Sequence, residues 1–138
     1  MVKELDIEAL VDNLDAVLAF VDEQLEGTEC PPKIQMQIDL AVEEIFVNIA
    51  NYAYQPETGP AAVRVELKPD GSAVSITFID RGMPYDPLAK EDPDVTIPTE
   101  QREIGGLGIF LVKKTMDDVR YEYVNGSNIL TIIKGLSV

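Results

Sequence analysis

Between residues 10 and 25, apolar side chains fall at Leu10, Leu14, Val17, Leu18, Val21 and Leu25, with charged residues between them. That spacing predicts a helix with one buried stripe. A loop then ends in Pro31-Pro32, a favourable helix start. The second predicted helix runs from Lys33 to about Tyr54 and is stopped by Pro56. From there the period changes to two. Val63, Val65 and Leu67 alternate with Arg64, Glu66 and Lys68, the pattern of a strand with one wet face. Pro69-Asp70-Gly71-Ser72 combines a fixed φ, an Asx bond and a permissive glycine, and so predicts a turn. Val74, Ile76 and Phe78 give a second strand that ends at Ile79-Asp80 and completes a hairpin.

Residues 81–104 follow neither period and contain Pro84, Pro87, Pro93 and Pro98. A loop of this length is uncommon in a small domain and is usually functional or disordered. Gly105-Gly106-Leu107-Gly108 then opens a helix with Ile109, Val112 and Met116 on one face. Two strands, 119–124 and 128–134, flank Asn125-Gly126-Ser127. Residues 3–9 supply a further edge strand. The order of helix, helix, hairpin, loop, helix, hairpin predicts one α+β domain over residues 1–138. It is a two-layer sandwich in which helices cover one face of a mostly antiparallel sheet.

Composition narrows the chemistry. The chain has no histidine and a single cysteine, Cys30. An internal disulfide, a cysteine-cluster zinc site, a histidine-based triad and phosphohistidine chemistry within the chain are all excluded. An acid–base catalyst must be a carboxylate, a lysine or a tyrosine. The net charge of −14 argues against direct binding of nucleic acid or of an anionic membrane surface. A nucleotide ligand therefore needs a divalent cation and backbone N–H groups for neutralisation. No apolar stretch approaches the ~18–20 residues of a membrane span. The first residues lack the basic start and apolar run of a signal peptide, so a cytoplasmic location is expected.

Three short patterns carry candidate chemistry. On an ideal helix Glu44 and Asn48 point in nearly the same direction, between apolar stripes that include Leu40 and Val47 on one side and Ile38, Ile45 and Ile49 on the other. A carboxylate and an amide there need partners. A hydrated Mg²⁺ ion is one solution, and an internal hydrogen-bonded pair at the core's rim is another. Glu43 points to the polar side. Asp80-Arg81-Gly82 follows a buried-type strand, where a carboxylate can accept from a ligand amine and glycine permits close approach; an ordinary strand-ending turn is the alternative. Gly105-Gly106-Leu107-Gly108 at a helix start offers free N–H groups to an anion, or serves tight helix packing. It is neither a Walker A sequence nor a dinucleotide fingerprint. Cys30 and Tyr52 read as packing residues.

The order of these patterns resembles the GHKL superfamily of Hsp90-type ATPases, histidine kinases and related proteins, with its Bergerat-type ATP-binding fold. Glu44-x-x-x-Asn48, Asp80-x-Gly82, the long loop and Gly106-x-Gly108 look like its N box, G1 box, ATP lid (about 83–104) and G2 box. The stretch from Glu44 to Tyr54, together with residues 105–112 and 116–119, is similar to the stand-alone anti-sigma-factor serine/threonine kinases. The resemblance implies ATP and Mg²⁺ as ligands, with Glu44 as general base and Asn48 holding the metal. It implies that Asp80 accepts the adenine amine and that Gly82 leaves room for the base. Gly105, Gly106, Leu107 and Gly108 would present N–H groups to the phosphates. Members often have an arginine just before the second glycine box; here Glu103-Ile104 stands there, with Arg102 nearby. The late-strand residue close to adenine falls on Thr131 or Asn128.

As implied function, this gives a cytoplasmic kinase that phosphorylates a serine or threonine of an anti-sigma antagonist protein and holds a sigma factor inactive, usually as a homodimer. The rival from another class is a switch that binds nucleotide and sequesters a partner without transferring phosphate. A third reading is a regulatory module for a separately encoded phosphatase or sensor.

Overall fold

All the period-two segments become strands of one sheet. The computed structural model describes residues 2–89 and 106–137. The strands are β1 (Val2–Glu8), β2 (Pro60–Leu67), β3 (Ala73–Asp80), β4 (Asp118–Val124) and β5 (Ser127–Gly135). They lie in the order β1-β2-β3-β5-β4, and every neighbouring pair is antiparallel. The predicted edge strand is therefore present. Both hairpin turns use the expected chemistry. Ser72 N–H donates to Asp70 Oδ1 at 2.9 Å ahead of a positive-φ Gly71, and Asn125-Gly126 has φ values of 52° and 81°, as a two-residue primed turn requires.

Three helices cover one face. They are α1 (Leu14–Leu25), entered through a 3₁₀ turn at Val11–Asn13, α2 (Pro32–Asn48) and α3 (Gly106–Thr115). Beyond Asn48 the α2 backbone continues as a π-helical turn through Ala53, so its helical path ends close to the predicted Tyr54. The core lies between the layers. Val17 and Val21 of α1, Ile38, Val42, Ile45 and Phe46 of α2 and Val112 of α3 meet Val63, Val65, Ile76, Phe78 and Ile132 of the sheet. Strand register explains this selection, since Val63, Phe78 and Leu130 are successive cross-strand partners and all point to the helices. One expected apolar stripe differs. Leu40 is 55% exposed, so the helix face beside Glu44 and Asn48 borders solvent rather than core. Glu43 is half-buried rather than fully wet.

A polar contact joins α1 to α2 that the sequence patterns did not single out. Gln35 Nε2 donates to Asp22 Oδ1 at 2.6 Å, and one oxygen of Asp39 is buried without a hydrogen bond among the described residues. Burial and then the facing Asp22 push the Asp39 carboxyl up to about 7 from its ordinary 3.8. The folded state thus holds this proton more tightly than the unfolded chain does. Its contribution to stability is complete below about pH 4 and is lost as pH rises to about 7. Asp39→Asn is expected to flatten the stability profile across that window and to add about 1 kcal/mol at pH 8, after discounting for partial solvent screening. Urea denaturation of both chains at pH 4, 6 and 8 checks this; parallel profiles would count against it.

Candidate active site

A cleft opens between the end of α2, the ends of β3 and β5, and α3. Its wall is largely apolar, formed by Ile45, Ile49, Ala53, Phe78, Ile109 and Leu130, with Asn48, Asp80 and Asn128 supplying the side-chain amides and carboxylate. Met83, Tyr85 and Pro87 close one side. A mostly apolar slot with a few convergent polar groups is the form of a small-ligand site.

The helix periodicity of α2 delivers Ile45, Asn48, Ile49, Tyr52 and Ala53 to this wall at steps of three and four. Glu44 stands one turn before Asn48 and reaches the first turn of α3. A methyl group added to Gly108 would lie 2.0 Å from Glu44 Oε2, so the missing side chain there is what lets the carboxylate approach the helix start. Burial, followed by the neighbouring charge of Glu43, raises the Glu44 carboxyl above the usual glutamate range. A carboxylate adjusted in that direction is a better proton acceptor near neutral pH.

Asp80 ends β3 and is 6% exposed. Its Oδ1 accepts from Gly82 N–H and from Asn128 Nδ2, both at 2.9 Å. Among the described residues its Oδ2 accepts no hydrogen bond, and it remains available to a ligand donor in the cleft. Asn128 is the direct cross-strand partner of Asp80, so sheet register alone brings the two together.

Gly82 has a packing reason for being glycine that its sequence pattern did not show. A methyl group there would meet the Ala53 carbonyl oxygen at 2.1 Å, and the adjacent Met83 N–H donates to that same oxygen at 2.8 Å. The residue lets the loop seat on the end of the α2 path, where the Met83 N–H satisfies a helix-terminal carbonyl. Tyr54 completes the seat, its hydroxyl accepting from Arg81 N–H at 2.8 Å and donating to the Pro60 carbonyl.

The structure therefore brings Asn48 and Asp80 into the cleft wall, with Gly82 next to the lining Met83 and with Glu44 against Gly108; Gly106 and Leu107 stand in the first turn of α3. Thr131 is not brought there. It pairs with Thr77 on the opposite sheet face, their hydroxyl oxygens 3.1 Å apart, because its register has the opposite parity to Asn128 and Leu130. Asn128 takes the late-strand place in the cleft. Tyr52, read as packing, is 45% exposed and lines the cleft; its i+4 relation to Asn48 was the available signal. Arg102, Gly105 and most of the predicted lid lie outside the described residues. No cluster of three or more histidine, cysteine or acidic side chains suited to a metal occurs among the described residues. No helix among them is long and apolar enough to cross a membrane.

A family model for the histidine kinase-like ATPase domain matches residues 7–134. The chain belongs to this family. The serine/threonine-protein kinase BtrW of Bordetella bronchiseptica is 28% identical over 100 residues, covering 72% of this chain and 70% of BtrW. The serine-protein kinase RsbW of Bacillus cereus is 30% identical over 95 residues, covering 66% of this chain and 58% of RsbW. The match thus spans a little over half of that relative. Among solved structures, the RsbU and RsbW domains of Rv1364c from Mycobacterium tuberculosis align with 99% of this chain and 33% of that one, at TM-score 0.67 and 19% identity. The structure of the SiaB–SiaC complex from Pseudomonas aeruginosa aligns with 95% of this chain and 89% of its own, at TM-score 0.55 and 16% identity. These likenesses establish the histidine kinase-like ATPase fold, the expected α+β sandwich.

Proposed function

We propose that this chain binds ATP with Mg²⁺ in the cleft, transfers the γ-phosphoryl group to a serine or threonine of a small antagonist protein, and in another state sequesters a sigma factor. The observation that carries the reading is that Asn48 and Asp80 line one cleft while Glu44, one helical turn from Asn48, lies against the glycine-bearing start of α3. The kinase names of BtrW and RsbW support the choice of reaction.

The residues present suit the ligands. The apolar wall accepts a purine ring, and Asp80 Oδ2 accepts its exocyclic amine. The α3 N-terminus, without side chains at Gly106 and Gly108, offers N–H groups and a positive dipole end to the phosphates. Asn48 would hold the cation through its neutral side-chain oxygen. When bound, the ion would supply neutralisation of phosphate charge to a chain of net charge −14. Glu44 takes the proton of the acceptor hydroxyl as that oxygen bonds to the γ-phosphorus. The bond from phosphorus to the β-phosphate oxygen breaks, and ADP departs with that electron pair. The protein's contribution is mainly positioning and charge. A cytoplasmic location and a homodimer belong to the same reading.

The nucleotide-dependent switch without transfer is favoured by one feature, Glu103-Ile104 in the place where the family often has an arginine. Incubation with γ-labelled ATP, Mg²⁺ and the candidate antagonist decides between the two. Label on a serine or threonine is expected. Tight ATP binding with no label on any physiological partner would establish the switch instead.

A further inference from the structure

We propose that Asn128, held by Tyr121, is a positioning residue that sets the base selectivity of the cleft by presenting Asp80 as a pure hydrogen-bond acceptor. The inference rests on the nucleotide-binding reading above.

The partners of the Asn128 amide include atoms of fixed polarity. Asn128 Oδ1 accepts from the backbone N–H of Tyr85 at 3.2 Å and from the Tyr121 hydroxyl. Asn128 Nδ2 donates to the Met83 carbonyl at 3.0 Å and lies 3.5 Å from the Gly82 carbonyl. A backbone N–H can only donate and a backbone carbonyl can only accept. The amide therefore has one permitted orientation, and that orientation turns its NH₂ toward Asp80. With Nδ2 and Oδ1 both committed, Asn128 has little capacity left to read a ligand. Its effect passes through Asp80, whose Oδ1 is filled by two N–H donors while Oδ2 accepts from none of the described residues. Tyr121 reaches Asn128 diagonally across the β4–β5 pair, in which Asn128 is opposite Tyr123.

An acceptor fixed in this way bonds a 6-amino purine and repels a 6-oxo purine, which turns a carbonyl oxygen toward it. A hydrogen bond to a charged group predicts at least a tenfold preference for ATP over inosine triphosphate. N128D keeps the size of the side chain but replaces the donor with a carboxyl group against Asp80. Two carboxyl groups at that distance share a proton, and a protonated Asp80 can donate to a 6-oxo group.

The test is calorimetric titration of the full chain with each triphosphate and Mg²⁺ at pH 6 and pH 8.5. Wild type is expected to prefer ATP at least tenfold at both values. In N128D the preference should fall below about threefold at pH 6 and recover in part at pH 8.5. A merely structural asparagine would weaken both ligands alike, and an unchanged ratio in N128D overturns the proposal while leaving nucleotide binding intact. Wild type that binds neither triphosphate overturns the underlying reading and this one together. If N128D does not fold, Y121F carries the test: a twofold to fourfold drop in the ratio supports the proposal, and no change overturns it.

Discussion

Glu44→Gln is expected to slow phosphoryl transfer by about 10²–10⁴-fold while changing ATP affinity by no more than about threefold. Glutamine fills the same space against Gly108 but has no basic oxygen to take a proton from the acceptor hydroxyl. Single-turnover transfer and calorimetry on the same preparation separate the two quantities. Loss of binding in step with loss of transfer would mean that Glu44 supports the ligand rather than the chemistry. Gly108→Ala supplies a second arm. Its new methyl group would stand 2.0 Å from Glu44 Oε2, and the end of a flexible side chain gives way easily. Stability should change by under ~1 kcal/mol, while transfer falls about tenfold or more because the base is displaced.

Gly82→Ala is expected to act through the fold, with a loss of about 2–3 kcal/mol. Its methyl group meets the Ala53 carbonyl oxygen at 2.1 Å and the carbonyl carbon at 2.5 Å. Backbone cannot step aside as the Glu44 carboxylate can. Relief requires the 81–83 segment to lift, which breaks the Met83 N–H to Ala53 bond and strains the Asp80 contact with Gly82. Urea unfolding should show a lower midpoint at unchanged slope. An unaltered midpoint would show that the loop has another way to seat.

Much of this was legible in the residues because hydrophobic period and turn chemistry are local. The alternation at Val63–Leu67 and Val74–Phe78 dictated which faces became core, and Asn125-Gly126 marked its hairpin. The three site patterns could be ordered along the chain because each had a local meaning, a helix spacing, a strand end or a helix start. What the patterns did not carry was the other side of each contact. Nothing around Gly82 in the sequence showed that the carbonyl of Ala53 stands against it. Thr131 and Asn128 were equal candidates until register with β3 sent one to each face. The Asp22–Asp39 contact depends on how α1 lies against α2, which neither helix's own periodicity specifies.

The wedge between Gly82 and Ala53 has a mechanical corollary. A glycine at the mouth of a binding loop is the natural place to look for a pivot, yet here it is clamped by the carbonyl beside it and by the bonds of its neighbours. Through Tyr85 the chain is bolted to the sheet by the Asn128 amide. Beyond it the Asp86 carboxylate accepts from Leu88 N–H at 2.8 Å, so the described part of this loop is fastened well past its glycine.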